Sequence, residues 1–124
     1  MESILLSVKP EYVERIFAGT KLYEYRKRLP RKNINKIVVY STHPMMKIIG
    51  EVKVVGIISA SPYRLWEETK TNSGISRGKF RKYFKGCKTA FAYKLGDLTI
   101  FDNPKTLGDY NLNHAPQSFV YIKE

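Results

Sequence analysis

The sequence predicts an α+β domain built on a small, mostly antiparallel β-barrel with inserted and flanking helices. Two observations lead to this prediction. Short apolar runs rich in branched and aromatic residues lie near both ends of the chain, at 4–8 and 119–122, and similar runs recur between them. Segments with helix-start signals separate several of these runs. With 124 residues the chain has room for one hydrophobic core, so we expect residues 1–124 to form a single domain.

The charge balance predicts a polyanionic partner. Lys and Arg total 22 against 11 for Asp and Glu, which gives a net charge of +11 at pH 7. A hydrophobic content of 43% is sufficient for a packed core, and this excludes a disordered basic tail. We expect RNA as the partner, with DNA as an alternative. A membrane is not expected, because no basic amphipathic helix or lipidation signal is present.

Cysteine and histidine usage narrows the possible chemistry. The single cysteine, Cys87, excludes an intramolecular disulfide, and no signal peptide or membrane-spanning run is recognisable, so we expect a cytoplasmic protein. His43 and His114 share no ligand spacing with Cys87, and we predict no metal site. The sequence contains no P-loop and no dinucleotide-binding fingerprint, and we predict no cofactor. The oligomeric state is left open.

The first elements are a strand and a helix. The apolar run 4–8 predicts a buried strand that ends at Lys9. Pro10 suits a first helical turn, and Gly19 supplies a C-terminal stop. Between them, four apolar residues fall on one helical face: Tyr12, Val13, Ile16 and Phe17.

The segment 19–28 is the candidate functional strand. Side chains alternate along a strand, so Glu24 and Arg26 share one face. A carboxylate beside a guanidinium presents an acceptor and a forked donor, a combination that suits a nucleobase edge or a phosphate. The alternative is a solvated ion pair on an edge strand, worth under about 1 kcal/mol.

The middle of the chain predicts two strands and a short helix. The run 36–40 is a strand that ends in the polar turn 41–44, and 47–59 is a long, coiled strand bent at Gly50 and Gly56. Ser61 and Pro62 begin a short helix. Its Trp66 is assigned to the core in preference to a base-stacking role.

A basic helix follows, and it is the candidate phosphate-contacting surface. Ser76 caps it, Phe80, Tyr83 and Phe84 share one face, and Gly86 ends it. The phosphate-contacting candidates are cations of this helix and of the loop after the functional strand: Arg77, Lys79, Arg81, Lys82 and Lys85, with Arg28, Arg31 and Lys32. The alternative is a solvated helix face and a solvated connector.

The C-terminal part predicts more strands. The segments 89–95 and 98–101 are expected to pair as a hairpin across Gly96 and Asp97. The run 119–122 is the final strand. Because strands lie at both ends of the chain, we expect the sheet to close on itself.

Several motifs, taken in order, resemble the ASCH domain of the PUA-like superfamily. They include Gly19-x-Lys21-x-x-Glu24-x-Arg26, the segment 40–44 and the segment 115–119. The resemblance covers nearly the whole chain and implies a PUA-like β-barrel with a cleft beside the first helix. It also implies RNA binding, of one nucleotide or modified base in some cases, and a regulatory role in translation or transcription. The residues that it places in the cleft are Lys9, Lys21, Glu24, Arg26, Ser41, Thr42, Gln117 and Ser118.

Some ASCH proteins are amidohydrolases that deacetylate N4-acetylcytidine with a lysine, a threonine nucleophile and a glutamate. Lys21 matches the lysine, but Glu24 stands at the threonine position and the glutamate position falls near Ser73. We therefore expect an RNA-binding module rather than an enzyme. Two alternatives stay open: a hydrolase that uses Lys21 and Glu24 as its working pair, and a regulatory module for an acidic protein partner.

Overall fold

The computed structural model describes residues 2–123 and contains one six-stranded sheet. The strands are β1 (Glu2–Val8), β2 (Tyr23–Arg26), β3 (Ile34–Ser41), β4 (Lys47–Ala60), β5 (Ala90–Lys105) and β6 (Phe119–Ile122). The helices are α1 (Pro10–Phe17), α2 (Pro62–Thr69) and α3 (Arg77–Tyr83), with short 3-10 turns at Lys70–Asn72 and Leu107–Tyr110.

The strand order is β2-β5-β4-β3-β1-β6. Within residues 2–123, β1 and β3 form the one parallel pair, and the other pairs are antiparallel. The prediction of a mostly antiparallel α+β fold is confirmed. The expected closure is wrong, because the described edge strands β2 and β6 do not pair with each other and the sheet stays open. The side chain of Arg26 crosses this opening.

The predicted hairpin at Gly96 and Asp97 is also wrong. Residues 90–105 form one continuous strand of 16 residues. Both of its halves pair with β4, from Ala60 opposite Ala90 to Ile48 opposite Lys105, with register shifts beside Gly50 and Gly56. A strand as long as β4 offers hydrogen-bonding partners along its whole length, so β5 extends past Gly96 instead of turning back.

The core lies on both faces of the sheet. The residues Ile4, Leu6 and Val8 pack with Val13 and Ile16 of α1 on one face. On the other face, Leu5 packs with residues of β3, β4 and β6. A third cluster joins α2 and α3 to β2 and β5 through Tyr25, Leu65, Phe80, Phe84, Ala90 and Ala92. This third cluster fixes α3 beside the edge strand β2.

The helix ends follow the sequence signals. Gly19 has a φ of +81° directly after the C-cap of α1, a conformation that glycine adopts without a steric cost. Ser61 Oγ accepts a hydrogen bond from the Arg64 amide at 3.3 Å, and Ser76 Oγ accepts one from the Lys79 amide at 3.1 Å. Trp66 is half-buried, with its ring centroid 5.0 Å from that of Phe80. It therefore packs against the core, as expected, but is not fully enclosed by it.

Candidate functional site

A cavity of about 720 Å³ lies between α1, β2 and α3, and we call it the cleft. Four of its lining residues, Val8, Lys21, Glu24 and Tyr25, are buried. Four lysines of its lining are exposed to solvent: Lys9, Lys27, Lys79 and Lys82. The rim also carries one exposed carboxylate, Glu11, whose Oε2 lies 3.5 Å from Lys79 Nζ. The cleft therefore combines a buried floor that holds polar groups with a mostly cationic rim.

An ion pair lies on the floor of the cleft. Arg26 Nη2 donates to Glu24 Oε2 at 2.7 Å, and Arg26 Nε donates to the same oxygen at 3.2 Å. The two side chains are only 17% and 9% exposed, so this is a desolvated pair and not a surface salt bridge. Both hydrogen bonds go to Oε2, and no hydrogen bond to Glu24 Oε1 is found within residues 2–123.

The remaining donors of Arg26 join three parts of the chain. Nη2 also donates to the Ser7 carbonyl of β1 at 3.2 Å, and Nη1 donates to Ser118 Oγ at 3.3 Å. The guanidinium of β2 thus reaches β1 and the residue directly before β6. It bridges the open side of the sheet with a side chain, where the sequence had predicted backbone pairing.

Lys21 is the buried cation of the cleft. Its side chain is 2% exposed, and Nζ donates to the Ser73 carbonyl at 2.9 Å. Nζ also lies 4.7 Å from the ring centroid of Tyr25 and 5.4 Å from that of Tyr12. Burial lowers the pKa of Lys21 to about 8, the nearby Arg15 and Arg26 also lower it, and the charge of Glu24 opposes them. In a fraction of the molecules, the Lys21 amine is therefore neutral at mildly alkaline pH.

The segment that holds Lys21 has a special backbone. Gly74 has a φ of +69°, and a Cβ at this position would overlap Cβ and Cγ of Lys21. The Gly74 carbonyl accepts from Arg15 Nη1 at 2.7 Å, which ties the segment to α1. Only glycine allows both this φ and this close approach. The sequence pattern did not predict this role of Gly74.

Tyr25 supplies a rigid wall beside Lys21. Its hydroxyl donates to Thr69 Oγ1 at 2.6 Å, and Thr69 donates to the Leu65 carbonyl at 2.7 Å. Burial raises the pKa of Tyr25 to about 12, so the phenol stays protonated at physiological pH. Its ring packs edge-on against Phe80 at a centroid distance of 5.0 Å.

The structure brings together most of the cleft residues that the family resemblance implied. Six of them line the cavity: Lys9, Lys21, Glu24, Arg26, Thr42 and Gln117. Ser118 contacts Arg26 without lining the cavity. Ser41 is buried in β3 and does not line the cavity either.

The phosphate-contacting candidates divide into three groups. Lys79 and Lys82 line the cleft. Arg77, Arg81 and Lys85 line a second groove on α3. Arg28, Arg31 and Lys32 lie in the loop before β3, outside both cavities, and Lys32 Nζ lies 3.5 Å from Glu2 Oε1.

Three tyrosines that line the cleft, Tyr12, Tyr25 and Tyr83, were not predicted as site residues. Tyr12 had been assigned only to the apolar face of its helix, and Tyr83 to the same face as Phe80 and Phe84. Tyr83 is 38% exposed and lines the cleft, whereas Phe80 and Phe84 are buried. Helical spacing alone suggests this difference, because position 83 lies about 100° from position 84 around the helix.

Neither a metal centre nor a membrane span emerges from residues 2–123. No three His, Cys, Asp or Glu side chains cluster there as a metal site would require. None of the described helices is long and apolar enough to cross a membrane.

Comparison with known proteins places this architecture in a family. A model of the ASCH domain matches residues 6–97. The ASCH domain-containing ribonuclease of Zymomonas mobilis is 30% identical over 124 residues, covering 97% of this chain and 84% of that protein. The ATP synthase subunit alpha and the large ribosomal subunit protein uL22 of Ureaplasma parvum are 29% and 27% identical over 123 residues. The chain spans only 15% and 40% of the lengths of these two proteins.

Solved structures agree with the sequence comparison. The crystal structure of ASCH from Zymomonas mobilis superposes with a TM-score of 0.89 at 26% identity, over 99% of this chain and 89% of that one. The N-terminal domain of Staphylothermus marinus McrB shares the fold at a TM-score of 0.51 and 16% identity, over 86% of this chain and 77% of that one. The motifs of the sequence, the family match and the superposition agree, and the chain belongs to the ASCH domain family.

Proposed function

We propose that this protein binds single-stranded RNA in the cleft. The observation that carries the proposal is the placement of a desolvated Glu24–Arg26 pair beneath a rim of exposed lysines. In the proposed complex, phosphates lie against the lysines of the rim, and one base reaches the floor. Lysine contacts to phosphate supply affinity without sequence preference, whereas contacts to a base edge supply the preference.

The floor has the right groups for a base edge. A guanidinium has five N–H donors. Within residues 2–123, Nε and both donors of Nη2 of Arg26 are used, and Nη1 uses one of its two, so one N–H of Nη1 has no partner there. Glu24 Oε1 supplies an acceptor beside it. The rings of Tyr12 and Tyr83 line the same cleft and offer stacking surfaces for an unpaired base.

The family comparison supports an RNA ligand. The Zymomonas mobilis relative is named a ribonuclease, and this chain covers 84% of its length. The net charge of +11 suits a polyanion. A regulatory role in translation or transcription would follow from the identity of the RNA that is bound.

Fluorescence anisotropy with single-stranded RNA, double-stranded RNA and single-stranded DNA across a salt series tests the proposal. We expect the tightest binding for single-stranded RNA. Glu24→Gln keeps the shape of the side chain but replaces an acceptor oxygen with an amide, and it should change the base preference while leaving the salt dependence unaltered. Lys53→Ala, on the exposed outer face of β4, is the matched surface control. Equal affinity for all three nucleic acids, with no effect of Glu24→Gln, would overturn the proposal.

RNA cleavage is a second candidate function for the same cleft. The specific observation is Lys21, a buried amine whose pKa is lowered to about 8, close enough to Glu24 for their charges to interact. A neutral amine of this kind can accept the proton of a ribose 2′-hydroxyl as its oxygen attacks the adjacent phosphorus. The bond from phosphorus to the 5′-oxygen then breaks, and the protonated amine returns a proton to that oxygen. The products are a 2′,3′-cyclic phosphate and a 5′-hydroxyl.

Product analysis distinguishes binding from cleavage. Incubation with end-labelled RNA should produce fragments that end in a cyclic phosphate, and Lys21→Met should abolish them while retaining RNA binding. The rate should rise with pH towards about 8, because the neutral amine is the active base. Intact RNA after long incubation would refute this candidate. Release of acetate from N4-acetylcytidine would instead support the amidohydrolase alternative.

A further inference from the structure

A second groove lies on the side of α3 away from the cleft. Its volume is about 360 Å³, within the range of about 300–1,000 Å³ that ligand-binding pockets occupy. Four aromatic residues and three cations make up most of its lining: Tyr63, Trp66, Phe80, Phe84, Arg77, Arg81 and Lys85.

Helical periodicity separates the two sides of α3. Arg77 and Arg81 lie four positions apart in the helix and line the second groove, together with Lys85 of the turn that follows the helix. Lys79 and Lys82 lie on the other side of the helix and face the cleft. The helix therefore carries cations towards a cavity on each of its sides.

The second groove has an aromatic floor and an aromatic edge. The rings of Trp66 and Phe80 lie 5.0 Å apart at an angle of 49°, and Phe80 lies 4.8 Å from Phe84. Tyr63 is 69% exposed, which is unusual for a large side chain beside a packed cluster. A half-buried tryptophan and an exposed tyrosine provide flat surfaces that are accessible from solvent.

The charge of the groove favours an anionic occupant. No carboxylate lines it within the described part of the chain. The acidic side chain of Glu67 on α2 is engaged outside the groove, where Lys70 Nζ lies 2.7 Å from its Oε2. Aromatic faces interleaved with arginines bind unpaired bases together with their phosphates. An acidic peptide would satisfy the charges but would leave the aromatic faces without a matching partner.

We infer that the second groove extends the RNA site. A strand that leaves the cleft crosses α3 at Lys82 and Arg81, and its next one or two bases stack on Tyr63 and Trp66. This inference rests on the proposed RNA-binding function and specifies how long a strand the protein engages. Stacking on these rings has no sequence requirement, so the groove adds affinity for longer single strands and leaves the preference of the cleft unchanged.

Trp66 provides a direct test, because it is the single tryptophan of the chain. Titration with single-stranded RNA of about 4 and about 12 nucleotides spans the lengths that comparable sites engage. We expect the longer RNA to quench Trp66 fluorescence and the shorter RNA to leave it nearly unchanged while still binding in the cleft.

Variants of the groove provide the second measurement. Tyr63→Ala should weaken binding of the longer RNA by about fivefold or more and leave binding of the shorter RNA unaffected. Tyr63→Phe keeps the ring and should bind like the wild type. Lys85→Ala should weaken binding of the longer RNA, whereas Lys53→Ala on the outer face of β4 should not.

The outcomes separate this inference from the function on which it rests. Suppose that both RNAs bind, that neither changes Trp66 fluorescence, and that Tyr63→Ala weakens binding of neither. The second groove is then not part of the RNA site, and the inference is overturned. If neither RNA binds, both the function and the inference fail. If polyglutamate quenches Trp66 as strongly as the longer RNA does, the groove recognises acidic chains, and this too overturns the inference.

Discussion

Nη2 and Nε of Arg26 both donate to one carboxylate oxygen of Glu24, Oε2, at 2.7 and 3.2 Å. The same guanidinium contacts the Ser7 carbonyl and Ser118 Oγ. One ion pair therefore shapes the floor of the cleft and connects β2 to β1 and to the start of β6. Its loss should affect both stability and ligand binding.

Arg26→Ala should lower the free energy of unfolding by about 3 kcal/mol, because it leaves Glu24 as a buried carboxylate without its guanidinium partner. Urea denaturation followed by circular dichroism measures this change. If Arg26→Ala had the same urea denaturation midpoint as the wild type, the pair would contribute no more than a surface salt bridge.

A double variant separates the structural role of the pair from its role in binding. Glu24→Leu combined with Arg26→Met removes both charges and keeps comparable volume, so it should recover most of the lost stability. The same variant should lose any base preference in the anisotropy assay. Recovery of that preference would show that the pair does not contact the base.

Lys21 should make stability depend on pH between about 8 and 10. Its pKa is about 8 in the folded protein against 10.5 as the ordinary value, so in this window the unfolded chain binds a proton that the folded chain does not. Stability therefore rises with pH, by up to about 1 kcal/mol per pH unit. Lys21→Met should flatten this rise in urea denaturation experiments.

The window ends near pH 10 because buried tyrosines oppose the effect. Burial raises the pKa values of Tyr25 and Tyr93 to about 12, above the ordinary value of 10.0. At higher pH the unfolded chain loses protons that the folded chain keeps, and stability falls. If the stability of Lys21→Met rose between pH 8 and 10 as steeply as that of the wild type, the rise could not be assigned to Lys21.

Lys82→Gln should weaken RNA binding equally for all sequences. It removes one exposed cation from the rim of the cleft, so the plot of log affinity against log salt should become shallower by about 0.7. Lys53→Gln serves as the control with the same charge change and should leave the slope unaltered. A change in base preference with Lys82→Gln would argue against a phosphate contact.

Gly74→Ala should displace Lys21. The substitution combines a φ of +69° with a clash against Cβ and Cγ of Lys21. We expect a loss of about 1–3 kcal/mol from backbone strain, with a further loss from the clash. Gly86→Ala is the control, because Gly86 has a φ of +84° and a Cβ there would meet nothing within 4 Å. Equal losses in the two variants would show that Lys21 is not held by close contact with Gly74.

Local sequence signals predicted much of the fold. Period-two alternation placed Glu24 and Arg26 on one face, and the two side chains do form a pair. The caps at Ser61 and Ser76 begin helices as expected. These features depend on neighbours within about four positions, so they can be predicted from the local sequence.

The two wrong predictions, the hairpin at Gly96 and the closure of the sheet, both concern pairing between distant segments. Gly96 lies within a continuous strand because β4 supplies partners along the whole of β5, and no local signal reports the length of a partner. The two terminal strands led us to expect a closed sheet. Instead, β6 is an edge strand whose neighbour in the sheet is β1, and the side chain of Arg26 bridges the opening between β2 and β1.

By itself, the sequence determined most of the strand and helix segments, the basic charge, the ASCH motifs and the shared face of Glu24 and Arg26. Tertiary structure alone decided that the sheet stays open, that Tyr12 and Tyr83 join the cleft, and that Lys21 is buried. The partner of Lys21, the Ser73 carbonyl, lies 52 positions away in the chain. Burial and desolvation arise from such distant contacts, and these two effects set the pKa of Lys21.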